Sequence, residues 1–146
     1  MKDIAGEAIL FDMYYMAKDP VPLAGEKREM PKIETLPVTE ATPVFRDFYI
    51  SNIVCNGAGK AIFLRGIPEM NVRNVNLENM VLKTHKGIES VEASDILFKN
   101  FRLITDDSAP LIYLQNTRDT KFEKIMFDHD ASLLFSVNGT GVLVLR

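Results

Sequence analysis

The side chains able to do chemistry in this 146-residue chain are few. Two adjacent tyrosines, Tyr14 and Tyr15, open a proline-rich stretch. Such pairs suit sugar contact, because the flat ring faces stack while the hydroxyls hydrogen-bond, and they equally suit packing a loop onto the domain beneath it. Thr105-Asp106-Asp107 carries a carboxylate pair, but no second acid accompanies it at a matching position, so it reads as a solvated turn. Asp128-His129-Asp130 has metal-ligand residue types. Neighbours on an extended segment rarely converge on one ion, and no distant His or Cys cluster completes a set, so no metal is expected. Cys55 is the single cysteine, which excludes an internal disulfide and reads as a buried, inert thiol. Asn138-Gly139-Thr140 spells a glycosylation sequon, and the same Asn-Gly pair marks a hairpin turn. No catalytic residue and no cofactor is expected from this inventory.

The elements that must position these groups are announced by a repeat. In Phe48-Tyr49-Ile50-Ser51-Asn52-Ile53-Val54-Cys55, apolar and polar residues alternate up to an Asn and then resume. The pattern returns in 75–82 around Asn79, in 96–103 around Asn100 and, weakly, in 120–127, where Lys124 takes the place of the Asn. The steps are 27, 21 and 24 residues, and a short recurring period means a solenoid. Interleaved with these runs are further strand signals at Ala61 to Leu64, Ile88 to Val91, Leu111 to Leu114 and Leu133 to Val137. Each cycle therefore reads strand, Asn turn, strand, variable loop, strand, with no helical period. That predicts an all-β chain wound as a parallel β-helix whose coils stack about 4.8 Å apart. Asn tolerates the left-handed backbone of a sharp corner, so Asn52, Asn79 and Asn100 are expected to form one column. Predicted inward residues are Ile50, Ile53, Ile62, Leu64, Leu77, Ile88, Val91, Phe98, Ile112 and Leu114. A leucine-rich repeat is set aside because its Asn follows a Leu-x-Leu run and a helical segment closes each cycle.

Length and a 47% hydrophobic content fit one domain with a continuous core. It divides into a partial coil at 1–11, a long proline-rich loop at 12–43, repeat coils at 44–136 and a C-terminal hairpin cap at 133–146. A net charge of −3 and a pI near 5.4 offer no basic stripe, which argues against nucleic acid and anionic membranes as partners. No run approaches the roughly 20 apolar residues of a membrane span. Gly6-Glu7-Ala8-Ile9-Leu10-Phe11 matches the phase of Gly59-Lys60-Ala61-Ile62-Phe63-Leu64, so the chain begins partway through a coil. An uncovered coil exposes strand edges and core side chains, from which self-association through the N-terminal end is expected.

Ala8-Ile9-Leu10-Phe11-Asp12-Met13-Tyr14-Tyr15, Thr42-Pro43-Val44-Phe45-Arg46-Asp47-Phe48, Gly66-Ile67-Pro68-Glu69-Met70 and the Asn repeats together resemble bacterial polygalacturonase-like enzymes of glycoside hydrolase family 28. The resemblance covers nearly the whole chain but only the final portion of a family domain. It implies a right-handed, single-stranded parallel β-helix, of which these are a few C-terminal coils. It also implies pectin degradation, with an acidic, pectin-like polysaccharide as partner and a periplasmic or secreted location for the full-length enzyme. Hydrolysis with inversion needs one acid to protonate the leaving oxygen and one carboxylate to activate water. The family supplies these from Asn-Thr-Asp and Asp-Asp runs, completed by Gly-His-Gly and Arg-Ile-Lys. His85-Lys86-Gly87 and Arg118-Asp119-Thr120-Lys121 do not match those runs. The resemblance therefore places the catalytic residues upstream of Met1 and implies a chain that is inactive alone. One family element has a counterpart: a substrate-contacting Tyr after the Arg-Ile-Lys strand, a place Tyr14 fits and Tyr15 fits one residue out of phase. The alternative is a non-catalytic β-solenoid that binds acidic polysaccharide or mediates assembly through the outward faces at Ala61 to Arg65, Ile88 to Glu92 and Leu111 to Gln115.

Overall fold

The computed structural model describes residues 1–14, 35–128, 132–139 and 143–145, the last three as backbone. Nine strands follow in chain order: β1 Lys2–Asp12, β2 Arg46–Arg65, β3 Val72–Thr84, β4 Lys86–Val91, β5 Ala93–Thr105, β6 Ile112–Gln115, β7 Arg118–Phe127, β8 Phe135–Asn138 and β9 Leu143–Leu145. Every ladder between them is parallel, and the described residues contain no helix. Strand β2 turns through two faces, pairing with β3 along its first part and with β1 and β4 along its last. From there one stack runs β3, β5, β7, β9 and the other β4, β6, β8. This is a parallel β-solenoid of about four turns, all-β as the repeat predicts.

The corners explain why strands can bend without losing their ladders. Asn52, Asn79, Asn100 and Lys124 all have left-handed φ, between 53° and 60°. The Asn79 amide donates to Asn52 Oδ1 at 3.3 Å, and the Asn100 amide to Asn79 Oδ1 at 2.8 Å. The expected Asn column is therefore present as a hydrogen-bonded ladder. A second left-handed column stands five residues earlier, formed by Asp47, Asn74, Asp95 and Asp119, with Asn74 donating to Asp47 at 2.7 Å. A third corner holds Glu92, Asn116 and Gly139.

Inside, Leu77, Phe98 and Phe122 share one register column, and the Phe98 and Phe122 rings stack with centroids 4.8 Å apart. Ile62, Leu64, Leu77, Ile88, Phe98, Ile112 and Leu114 are buried in this core, and Ile50 and Ile53 pack against it half-buried. Val91 departs from expectation. It is buried, but in a separate cluster with Phe63 and Tyr113 on the outer side, because strand alternation puts Ser90 rather than Val91 beside Leu64 and Leu114.

Both ends differ from the sequence reading. Asn138-Gly139 is not the turn of a hairpin: β8 pairs in parallel with β6, and β9 in parallel with β7. The C-terminal strands are one more coil, and Gly139 with φ +81° occupies the Glu92–Asn116 corner, where an added Cβ would meet Asn116 Oδ1 at 1.8 Å. At the front, Ile9, Leu10 and Phe11 pair with Ile62, Phe63 and Leu64 in the expected phase. Ile9, Phe11 and Met13 are nevertheless buried rather than open to water, Phe11 meeting the Phe48 ring edge-on at 4.6 Å. Of the long loop, 12–14 and 35–43 are described, and the rest lies outside the described residues.

Candidate functional site

On the face built by the end of β2 with β4 and β6, the alternation that sends Ile62, Ile88 and Ile112 inward turns Phe63, Glu89 and Tyr113 outward in one row. Arg65, Val91 and Gln115 form the next outward row. Outward residues of a solenoid are ordinarily wet, yet here Phe63, Arg65, Glu89, Val91 and Gln115 are all buried. Buried charges must be paired, and these are. The Lys60 ammonium donates to Glu89 Oε2, with the two side chains only 12% and 3% exposed. Arg65 grips Asp12 in a fork, Nε to Oδ1 at 3.0 Å and Nη2 to Oδ2 at 2.6 Å.

The two cations share an aromatic partner. Lys60 Nζ stands 4.2 Å and the Arg65 guanidinium 5.2 Å from the Phe63 ring centre, and the same guanidinium lies 5.2 Å from the Tyr14 ring. A continuous row results, Glu89–Lys60–Phe63–Arg65–Tyr14, in which each positive charge is held by a carboxylate and by a π face. Burial works to raise the Asp12 carboxyl, but the Arg65 guanidinium and the Tyr14 amide at 2.8 Å prevail and hold it below its ordinary range. Burial pushes the Tyr113 phenol up; Asn138 opposes this and the Glu89 charge adds to it. The phenol is thus a neutral donor, given at 2.7 Å to Gln115 Oε1. Burial likewise raises Glu92, against donation from Asn116 at 2.5 Å and the nearby Arg118 charge, with Glu69 reinforcing the rise.

Part of this face opens to solvent as a crevice of about 40 Å³, lined among others by Lys60, Lys86, Glu89, Asp107 and Tyr113. A larger groove of about 370 Å³ runs over Asn74, Asn76, Asp95 and Lys121. Its charged residues Asp95, Asp119 and Lys121 are exposed, so the groove sets no desolvated charge against a ligand.

The tyrosine reading meets the structure halfway. Tyr14 lies half-buried against Arg65 at one end of the row, and Tyr15 lies outside the described residues. Asp106 is exposed, 3.7 Å from His85 Nδ1, while Asp107 accepts the Ala109 amide at 3.2 Å in the expected turn. Asp107 nonetheless reaches the crevice that Glu89 lines, an acid the sequence reading did not set beside it. Asp128 forks onto Arg102 at 3.1 Å, and His129 and Asp130 lie outside the described residues. Among the described residues no three His, Cys, Asp or Glu side chains gather as a metal site. Cys55 is buried, its thiol 3.8 Å from the Gly57 carbonyl. Arg65, Glu89 and Tyr113 fall within the outward faces of the non-catalytic alternative but were not singled out there, and Lys60 lies just outside them; the available signal was the phase that aligns Phe63, Glu89 and Tyr113 in successive coils. Comparison with protein-family models, with curated proteins and with solved structures gives no match to this chain.

Proposed function

We propose that these coils are the polysaccharide-contacting part of a pectin-degrading, polygalacturonase-like β-helix protein, and that they hold acidic glycan without cleaving it. The observation that carries this reading is the outer face of β4 and β6. There Lys60, Lys86, Glu89 and Tyr113 converge on one crevice, and Tyr14 with Arg65 extends the row. Aromatic flanks beside fixed ammonium and carboxylate groups are the composition that sugar recognition uses, rings for the apolar faces and charged groups for hydroxyls and carboxylates. The resemblance of the Asn repeats and of the Ala8 to Tyr15 stretch to family 28 enzymes supports the pectic substrate class. The non-catalytic role follows from the chemistry: Glu89 is neutralised by Lys60, and Asp107 is tied to its own turn, which leaves neither poised as the acid or base of an inverting pair.

A second reading, assembly through the N-terminal end, rests on β1 pairing, among the described strands, only with β2, which leaves one of its backbone edges without a described strand. The burial of Ile9, Phe11 and Met13 reduces the apolar part of its driving force to the exposed Met1 and Leu10. Affinity electrophoresis in gels containing polygalacturonate tests the first reading, run beside a reducing-sugar assay on the same polymer. Retardation without release of reducing ends is the expected result. Unretarded migration would end the glycan reading, and hydrolysis lost on replacing Asp107 or Glu89 would end the non-catalytic one.

A further inference from the structure

Glu89 is 97% buried by residue exposure, 3% remaining, and among the described residues it uses only one of its two oxygens. Oε2 receives the Lys60 ammonium, while Oε1 is buried with no hydrogen-bond partner among those residues. A buried acceptor without a donor is costly, and more so when it carries charge. Three features of the crevice decide what kind of donor would satisfy it. Its charges balance, with Lys60 and Lys86 against Glu89 and Asp107, so an ion of either sign gains little from the field. At about 40 Å³ it has room for one hydroxyl or hydroxymethyl group and not for a whole ring. Its rim carries the half-buried Tyr113 ring and Pro110, apolar surfaces on which a ring outside the crevice could rest.

We infer that this crevice is a hydroxyl-reading subsite: a sugar ring lies over Tyr113 and inserts one hydroxyl, which donates to Glu89 and accepts from Lys60 or Lys86. Oε1 is shielded in the present arrangement, and the broad, roughly two-fold terminal torsion of a carboxylate lets it turn toward an entering donor. The inference rests on the glycan reading above and sharpens it, because it assigns recognition at this point to a hydroxyl and leaves the uronate carboxylate facing away from the crevice.

The test is an NMR titration of the whole chain with trigalacturonate and with its carboxyl-reduced, neutral counterpart, followed at the amides of Gly87, Glu89 and Tyr113. Both sugars should shift these amides, with affinities within about threefold of each other, and Glu89→Gln should weaken both by about tenfold, since a charged acceptor makes the stronger hydrogen bond. Shifts confined to other residues, or an affinity unchanged in Glu89→Gln, would overturn the subsite while leaving glycan binding intact. So would a neutral sugar that fails to bind while the acidic one succeeds. Should neither sugar bind the unaltered protein, the glycan reading itself falls and the subsite with it. The shift map of the unaltered protein decides the matter even if the variant does not fold.

Discussion

At the Asn52 corner, polar side chains stand in water and pair with copies of themselves; on the outer face of β4, polar side chains are buried and pair with opposite charges. Asn52, Asn79 and Asn100 are exposed and bond in a one-directional ladder, the Asn79 and Asn100 amides each donating to the coil before. Glu89 and Lys60 are nearly sealed, and Arg65 is held by Asp12 and flanked by two rings. Both sets point away from the core, so orientation alone does not set burial in a solenoid. The difference lies in what each residue must accomplish. The corner Asn supplies a backbone conformation, with the ladder as a modest addition, and water can replace any rung. The outer-face charges have little water to fall back on, so each depends mainly on its partner.

The largest consequence is for the Lys60–Glu89 pair. Glu89→Ala should destabilise the chain by about 3 kcal/mol, because it leaves an ammonium buried with only a ring for company. Urea unfolding should show a lower midpoint at an unchanged slope. The double variant Glu89→Ala, Lys60→Met should recover most of the loss, since replacing both members removes the unpaired charge. A single variant that loses less than about 0.5 kcal/mol would mean that water reaches Lys60 and that the two outer surfaces do not differ as described.

A smaller effect separates the two duties of the corner residue. Asn79→Ala removes the donor to Asn52 and the acceptor for Asn100, and forces a Cβ-bearing residue without a compensating side chain to φ 54°. The sum should be about 2 kcal/mol. Asn79→Gly loses the same two hydrogen bonds but adopts positive φ freely, so it should cost about 1 kcal/mol. Thermal melts of the two variants measure the gap. Equal losses would assign the corner's contribution to the ladder and not to the backbone.

The same contrast explains what could be read from the sequence. The Asn column was legible because one residue type answers one backbone demand at a recurring interval, and the interleaved strands were legible from their alternation. The Asp47, Asn74, Asp95 and Asp119 column answers the same demand with mixed residue types, and so escaped notice. Val91 was misplaced because its apolar character was weighed above its phase: counting from Ile88, alternation turns it outward, where Phe63 and Tyr113 bury it. Lys60 and Glu89 lie 29 residues apart and form no motif; only the register that aligns successive coils brings them together. Asn138-Gly139 shows the reverse error. A local turn signal was strong, but the parallel pairing of β8 with β6 and β9 with β7 makes that glycine a solenoid corner.

The smallest expected effect is a gain, and it bears on whether the ladder is a rule that the fourth repeat merely breaks. Lys124 holds the Asn position of its coil, exposed and with φ 53°, although a lysine side chain has no local means of favouring the left-handed region. Asn100, one coil before it, donates to Asn79 and, among the described residues, keeps its own Oδ1 available in the geometry the ladder repeats. Lys124→Asn should therefore add a rung from the new amide to Asn100 Oδ1 and relieve the backbone, raising stability by about 0.5–1 kcal/mol. For a chain of this size that is a rise of roughly 1–4 °C in the thermal midpoint. Repeating the substitution in an Asn100→Ala background separates the contributions, since a gain that persists there comes from the backbone and a gain that vanishes comes from the rung. No gain in either background would mean that the ladder ends at Asn100 for a structural reason and that the corner in β7 is held by its strand pairing alone.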